Sequence, residues 1–101
     1  DECVALDHRT DVYSLGVSLY EAVTLHRPFE APTRAGLFRV ILEGRFPPPR
    51  SVDTRIPRDL SAVLETALAR EPDRRYQTAL DFAEDLARVR RSEPTRVRPL
   101  G

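Results

Sequence analysis

Residues 11–23, Asp-Val-Tyr-Ser-Leu-Gly-Val-Ser-Leu-Tyr-Glu-Ala-Val, constrain this chain more than any other stretch. On a wheel of about 100° per residue, Val12, Leu15, Leu19, Ala22 and Val23 share one side, and Tyr13, Val17 and Tyr20 another. The polar remainder is a narrow stripe of Asp11, Ser14, Ser18 and Glu21. A surface helix carries one apolar stripe, whereas a helix apolar over most of its girth runs through a core. Asp11 therefore opens a core helix, beside that helix's own free N–H groups. A carboxylate there is either an N-cap or a fixed acceptor for the backbone of another segment.

The remaining segments arrange themselves around this one. Asp1 to Thr10 reads as polar and irregular, and the first helix runs from about Asp11 to Leu25, with Pro28 ending it. Pro32-Thr33 opens a second helix, on which Leu37, Phe38, Ile41 and Leu42 make one apolar face and Gly44 fits the C′ position. Arg45 to Ile56, with Pro47-Pro48-Pro49, reads as an extended surface loop. A third helix starts near Pro57, with Ile56, Leu60, Val63, Leu64, Ala67 and Leu68 at helical spacing, and ends before Pro72. Thr78 with Asp81 resembles a capping box, and the fourth helix continues to about Arg91, with Ala79, Phe82, Ala83 and Leu86 inward. No segment alternates like a strand. The predicted fold is all-α: about four helices, one buried and central, with amphipathic helices around it. Residues 1–91 read as one domain and 92–101 as a Pro- and Arg-containing linker or tail.

Composition excludes more than it selects. The 101 residues are 41% hydrophobic and 32% charged, as in soluble globular domains. Sixteen arginines balance sixteen acidic residues, so net charge gives no pull toward nucleic acid or membrane. One cysteine, Cys3, forms no internal disulfide and fits a reducing compartment. No apolar run approaches the roughly 20 residues of a membrane span. The chain has no lysine or asparagine, so no reaction needing either is run by it alone.

Two blocks at a fixed spacing carry a resemblance. Residues 11–21 resemble the helix at the centre of the large lobe of eukaryotic-type protein kinases, with Pro28-Phe29 following at that family's spacing. Glu-Pro-Asp-Arg-Arg-Tyr-Gln-Thr-Ala, 71–79, resembles its penultimate block, and Phe82, Asp85 and Leu86 fit the closing helix of bacterial serine/threonine kinases. The resemblance covers roughly residues 6–90 and implies the C-terminal part of the large lobe. It departs from the family at Cys3 and at Leu25, where glycines are common.

The resemblance implies a role for each of four residues. Asp11 would accept hydrogen bonds from the catalytic-loop backbone. Gly16 would allow close helix packing. Arg75 would bind the glutamate of an Ala-Pro-Glu motif, and Tyr76 would pack beneath that pair. The motifs that bind ATP and Mg2+ and transfer phosphate lie upstream of Asp1 in such kinases, so the chain reads as a catalytically silent fragment of a cytoplasmic kinase domain. Its implied partners are the rest of the kinase and a protein substrate, which would dock on the helix at about 33–43 and the loop before it. A basic C-terminal end would suit a juxtamembrane segment if the parent has a following span. The alternative is a pseudokinase or stand-alone helical interaction module. His8-Arg9-Thr10-Asp11 is not the catalytic His-Arg-Asp, because Thr10 intervenes, and Asp81-Phe82-Ala83 sits in a helix first turn. Read without the resemblance, Asp11 is a plain cap and Arg75 a solvated arginine. If both were buried charges left without partners, each loss would cost on the order of 3–5 kcal/mol, which predicts a partly molten chain.

Overall fold

The computed structural model describes residues 8–97, without the side chain of His8. Among the described residues, five α-helices and one 3-10 turn follow in order: α1 His8–Thr24, α2 Arg34–Glu43, α3 Pro49–Val52, α4 Arg58–Ala67, the 3-10 turn Pro72–Arg74 and α5 Ala79–Arg90. No strand occurs among the described residues, so the all-α expectation holds. The readings of Cys3 and of residues 1–7 and 98–101 lie outside the described residues. Helix α1 is central and packs against α3, α4 and α5, while α4 also meets α3 and α5. His8, Arg9 and Thr10 are helical, since nothing in them breaks a helix. Asp11 thus lies in the first turn of α1 instead of opening it.

Local chemistry sets the ends of these elements. The Thr33 hydroxyl accepts the Gly36 N–H at 3.0 Å and caps α2. At the other end Gly44 takes the left-handed conformation, φ 69° and ψ 24°, and donates to the Ile41 carbonyl. A Cβ there would lie 2.6 Å from Arg70 Cβ, so glycine meets both a dihedral and a steric demand. The Thr78 hydroxyl accepts the Asp81 N–H at 3.0 Å at the start of α5. Asp81 turns its own carboxylate toward Arg96, 3.6 Å away. Helix α1 ends on Leu25, whose φ of 62° is the left-handed conformation that a glycine would take without strain.

The proline-rich stretch is a correction. Pro48 is extended, but Pro49 starts the helix α3 and is buried, because proline suits the first helical position, where no N–H is needed. Arg50 closes this turn by donating to the Ile56 carbonyl at 2.6 Å. The Tyr20 hydroxyl donates to the Pro47 carbonyl at 2.6 Å, and so holds the stretch against α1.

The core joins Val12, Val63, Ala67, Tyr76 and Phe82, with Leu19, Leu86, Val89 and Val97 packed around them. Burying such side chains contributes roughly 1.5–3 kcal/mol each before entropy is counted. Two apolar surfaces stay outside it. Helix α2 has no buried residue, and Phe38 and Leu42 are 63% and 69% exposed, so its apolar face points to solvent and not inward. On α1 the buried stripe is Val12, Gly16, Tyr20 and Thr24, while Leu15 is half exposed. Leu15, Ser18, Leu19 and Ala22 line an open groove against Ala79, Phe82, Ala83 and Leu86 of α5, with a volume of about 430 Å³.

Candidate functional site

Of the four residues singled out by resemblance, Gly16 lies in the α1–α4 contact itself. Gly16 makes that contact possible. A Cβ on it would lie 2.9 Å from Ala67 Cβ and 3.4 Å from Leu68 Cδ2, closer than side chains tolerate. With only hydrogen there, the backbone of α1 lies directly on α4.

Arg75 follows the 3-10 turn and reaches across this contact. Its Nε donates to the Ala69 carbonyl at 2.8 Å and Nη2 to the Arg70 carbonyl at 3.2 Å, both in the turn that follows α4. Nη1 reaches the Arg9 carbonyl in the first turn of α1 at 3.4 Å. The guanidinium carbon stands 4.4 Å from the centroid of the Tyr13 ring, a cation–π geometry. Burial pushes the Tyr13 hydroxyl up from its ordinary value, and the Arg75 charge offsets part of that rise. Arg9 adds a second tie, donating to Asp73 at 2.7 Å. Arginine suits this work because its planar fork serves several carbonyls at once.

Behind Tyr13 the contacts continue through rings. Tyr13 stacks on Phe29 at 6.3 Å, Phe29 meets Phe46 edge-on at 5.9 Å, and Phe46 meets Tyr20 edge-on at 6.0 Å. Phe29 is thus the residue that carries the turn after α1 back onto the helix.

Tyr76 points the opposite way from Arg75, into the core. It stacks on Phe82 at 5.3 Å, and its hydroxyl donates to Asp85 at 2.7 Å. Asp85 is fully buried and has three further donors: the Arg88 guanidinium at 2.7 Å, the Arg96 N–H at 2.8 Å and the Val97 N–H at 3.4 Å. Burial alone would raise its pKa, but the Arg96 N–H, Tyr76, Arg88 and the Val97 N–H together hold it below the usual carboxylate range. The Tyr76 hydroxyl is pushed well above its ordinary value, by burial first and then by its bond to Asp85. Sequence reasoning gave Asp85 no such role. The available signal was its place on the inward stripe of α5 with Phe82, Leu86 and Val89, where a carboxylate needs partners.

Asp11 is exposed, and among the described residues none donates to its carboxylate. The structure therefore does not bring Asp11 and Arg75 together, and neither is an orphaned buried charge. The premise of the expected molten state is absent, since an exposed carboxylate has water for a partner and Arg75 is bonded to three carbonyls. Among the described residues no three His, Cys, Asp or Glu side chains gather as metal ligands, and the chain has no lysine. No helix among the described residues is long and apolar enough to cross a membrane.

Comparison with known proteins agrees with this architecture. No family model matches the chain. It is 42% identical over 81 residues to the tyrosine-protein kinase MasK of Myxococcus xanthus, covering 80% of this chain and 12% of that protein. It is 40% identical over 91 residues to the serine/threonine-protein kinase PknB of Mycobacterium tuberculosis, covering 89% and 14%. A probable serine/threonine-protein kinase of Clostridium perfringens is 34% identical over 85 residues, covering 84% and 12%. The chain spans about one-eighth of the length of the relatives it matches. With two motif blocks at kinase spacing on an all-helical scaffold, the chain belongs, as a segment, to the bacterial serine/threonine protein kinase family.

Proposed function

We propose that this chain is the C-terminal scaffold of a kinase large lobe, and that the parent transfers the γ-phosphoryl group of ATP, with Mg2+, to a protein hydroxyl. The observation that carries this is the position of Arg75. It ties the turn after α4 to the first turn of α1, and this anchored guanidinium supports the role of partner to the Ala-Pro-Glu glutamate that the family resemblance implies. Asp11, exposed on that same first turn, is free to accept backbone N–H groups from a catalytic loop. The outward apolar face of α2, with Phe38 and Leu42, supports a role in protein-substrate docking. The domain would work in the cytoplasm, where ATP is supplied.

A chimera tests this reading. The chain replaces the matching segment of the M. tuberculosis kinase, and transfer from ATP to a protein substrate is measured. The expected result is retained activity that falls about tenfold or more in Asp11→Ala and in Arg75→Ala, as for the loss of a charge-assisted bond. The chain alone is expected to transfer nothing. Full activity in both variants would remove the assigned roles.

A further inference from the structure

The segment after α5, read from its composition as a linker or tail, is bonded to the helix through residue 97. The chain first reverses. Ser92 takes φ 59°, its N–H donates to Val89, and the Glu93 N–H donates to Arg88 at 2.8 Å, the two bonds of a Schellman motif. Pro94 then sends the backbone alongside the helix. Thr95 is buried and its hydroxyl donates to the Val97 carbonyl. The N–H groups of Arg96 and Val97 reach Asp85, and Val97 packs on the core beside Leu86 and Val89.

We propose that Asp85 is a latch that straps residues 93–97 onto α5 through their backbone. Residues 96 and 97 therefore lie beside residue 85, six residues or about 9 Å back from Arg91. The latch does not depend on the kinase reading. From the strap it takes main-chain N–H groups only, so the exposed position 96 tolerates any side chain but proline, which lacks the donor, while Val97 adds its packing on the core. The carboxylate commits both oxygens: Oδ1 to Arg88 and Arg96, Oδ2 to Tyr76 and Val97. The other charges around it are Asp81, paired with the Arg96 side chain, and Glu84 and Glu93, which act on Arg88. Tyr76 makes the latch two-sided, because the same carboxylate that holds the strap fixes the residue next to Arg75.

Residue-resolved amide hydrogen exchange on the full chain tests this. Arg96 and Val97 are expected to be protected, and Asp85→Ala to lower their protection about tenfold or more, as for losing a bond to a charged acceptor. Arg96→Ala keeps the N–H and deletes only the reach to Asp81, so protection stays within about threefold. Arg96 and Val97 amides that exchange freely in the unaltered chain, or that stay protected in Asp85→Ala, overturn the latch. Because Asp85→Ala also strips Tyr76 of its acceptor, a second measurement works from the strap. Arg96→Pro removes one strap donor while leaving α5 and the covering chain in place, and the Asp85 carboxyl, followed by carbon NMR, is then expected to titrate about one unit higher or more. An unchanged midpoint overturns the latch equally.

Discussion

Replacing Gly16 by alanine pits two effects of known size against each other. In the middle of a helix alanine is better than glycine by about 0.8–1 kcal/mol. Against this, the added methyl would sit 2.9 Å from the Cβ of Ala67, which is fully buried and, being fixed to the backbone, has no rotamer to swing away. Carbon atoms settle at about 3.5–4.0 Å, so α1 and α4 must part by roughly 0.5–1 Å along their whole contact. Overpacking of this kind typically costs about 1–3 kcal/mol. The clash wins, with a net loss of about 1 kcal/mol, and the thermal midpoint is expected to fall by roughly 4–8 °C in a domain of this size. A double-mutant cycle isolates the cause. Ala67→Gly alone loses a buried methyl and helix propensity, about 1–2 kcal/mol together. Combined with Gly16→Ala, the methyl only changes sides of the interface, so the double variant should be more stable than the sum of the singles by about 1 kcal/mol. Circular dichroism melts of the four chains supply the numbers. A Gly16→Ala chain that melts higher, or singles that simply add, would refute the close approach of these helices.

Three further outcomes are expected. Leu25→Gly relieves a left-handed leucine that is 84% exposed, for a gain of roughly 0.5–1 kcal/mol after the entropy of glycine, read as a higher melting temperature. Asp85 has a folded pKa below its unfolded value of about 3.9, so its stabilisation is present above that value and is lost as pH falls through the folded pKa; denaturant midpoints measured below pH 4 should fall less steeply in Asp85→Asn than in the parent. Phe38→Glu, on the outward face of α2, should leave the melting temperature within about 2 °C, because no packing is lost, while weakening capture of protein substrate in the chimera.

What could be read in advance was what neighbours in sequence decide. Thr33, Gly44 and Thr78 act on residues within four positions, and each lies where its pattern places it. The leucine at a customary glycine site, Leu25, has the glycine's dihedral. Hidden features depended on residues brought together from afar. Asp85 gathers Tyr76, nine positions before it, and Arg96, eleven after; its inward place on α5 signals a need for partners but does not say which. Pro49 was obscured by its two preceding prolines, which favour an extended chain, although the third alone can start a helix. The apolar pattern of α2 is helical and correctly placed, but periodicity tells which residues share a face and not whether anything covers it. Arg75 also gathers carbonyls from Ala69 and Arg70, just past α4, and from Arg9 on α1, and the last of these, 66 positions away, has no local signal.

The groove between α1 and α5 changes how a routine assay of this protein should be interpreted. Hydrophobic dyes brighten on exposed apolar surface, and such brightening is commonly taken as the mark of a state that has lost its side-chain packing. Here Leu15, Leu19, Phe82 and Leu86 offer a dye a formed site in the native state. A bright signal at neutral pH is therefore compatible with intact packing. The discriminating observation is the near-ultraviolet dichroism of the tyrosines: Tyr20 and Tyr76 are fixed in the interior, so their bands persist while the groove fills with dye and vanish only when the core loosens.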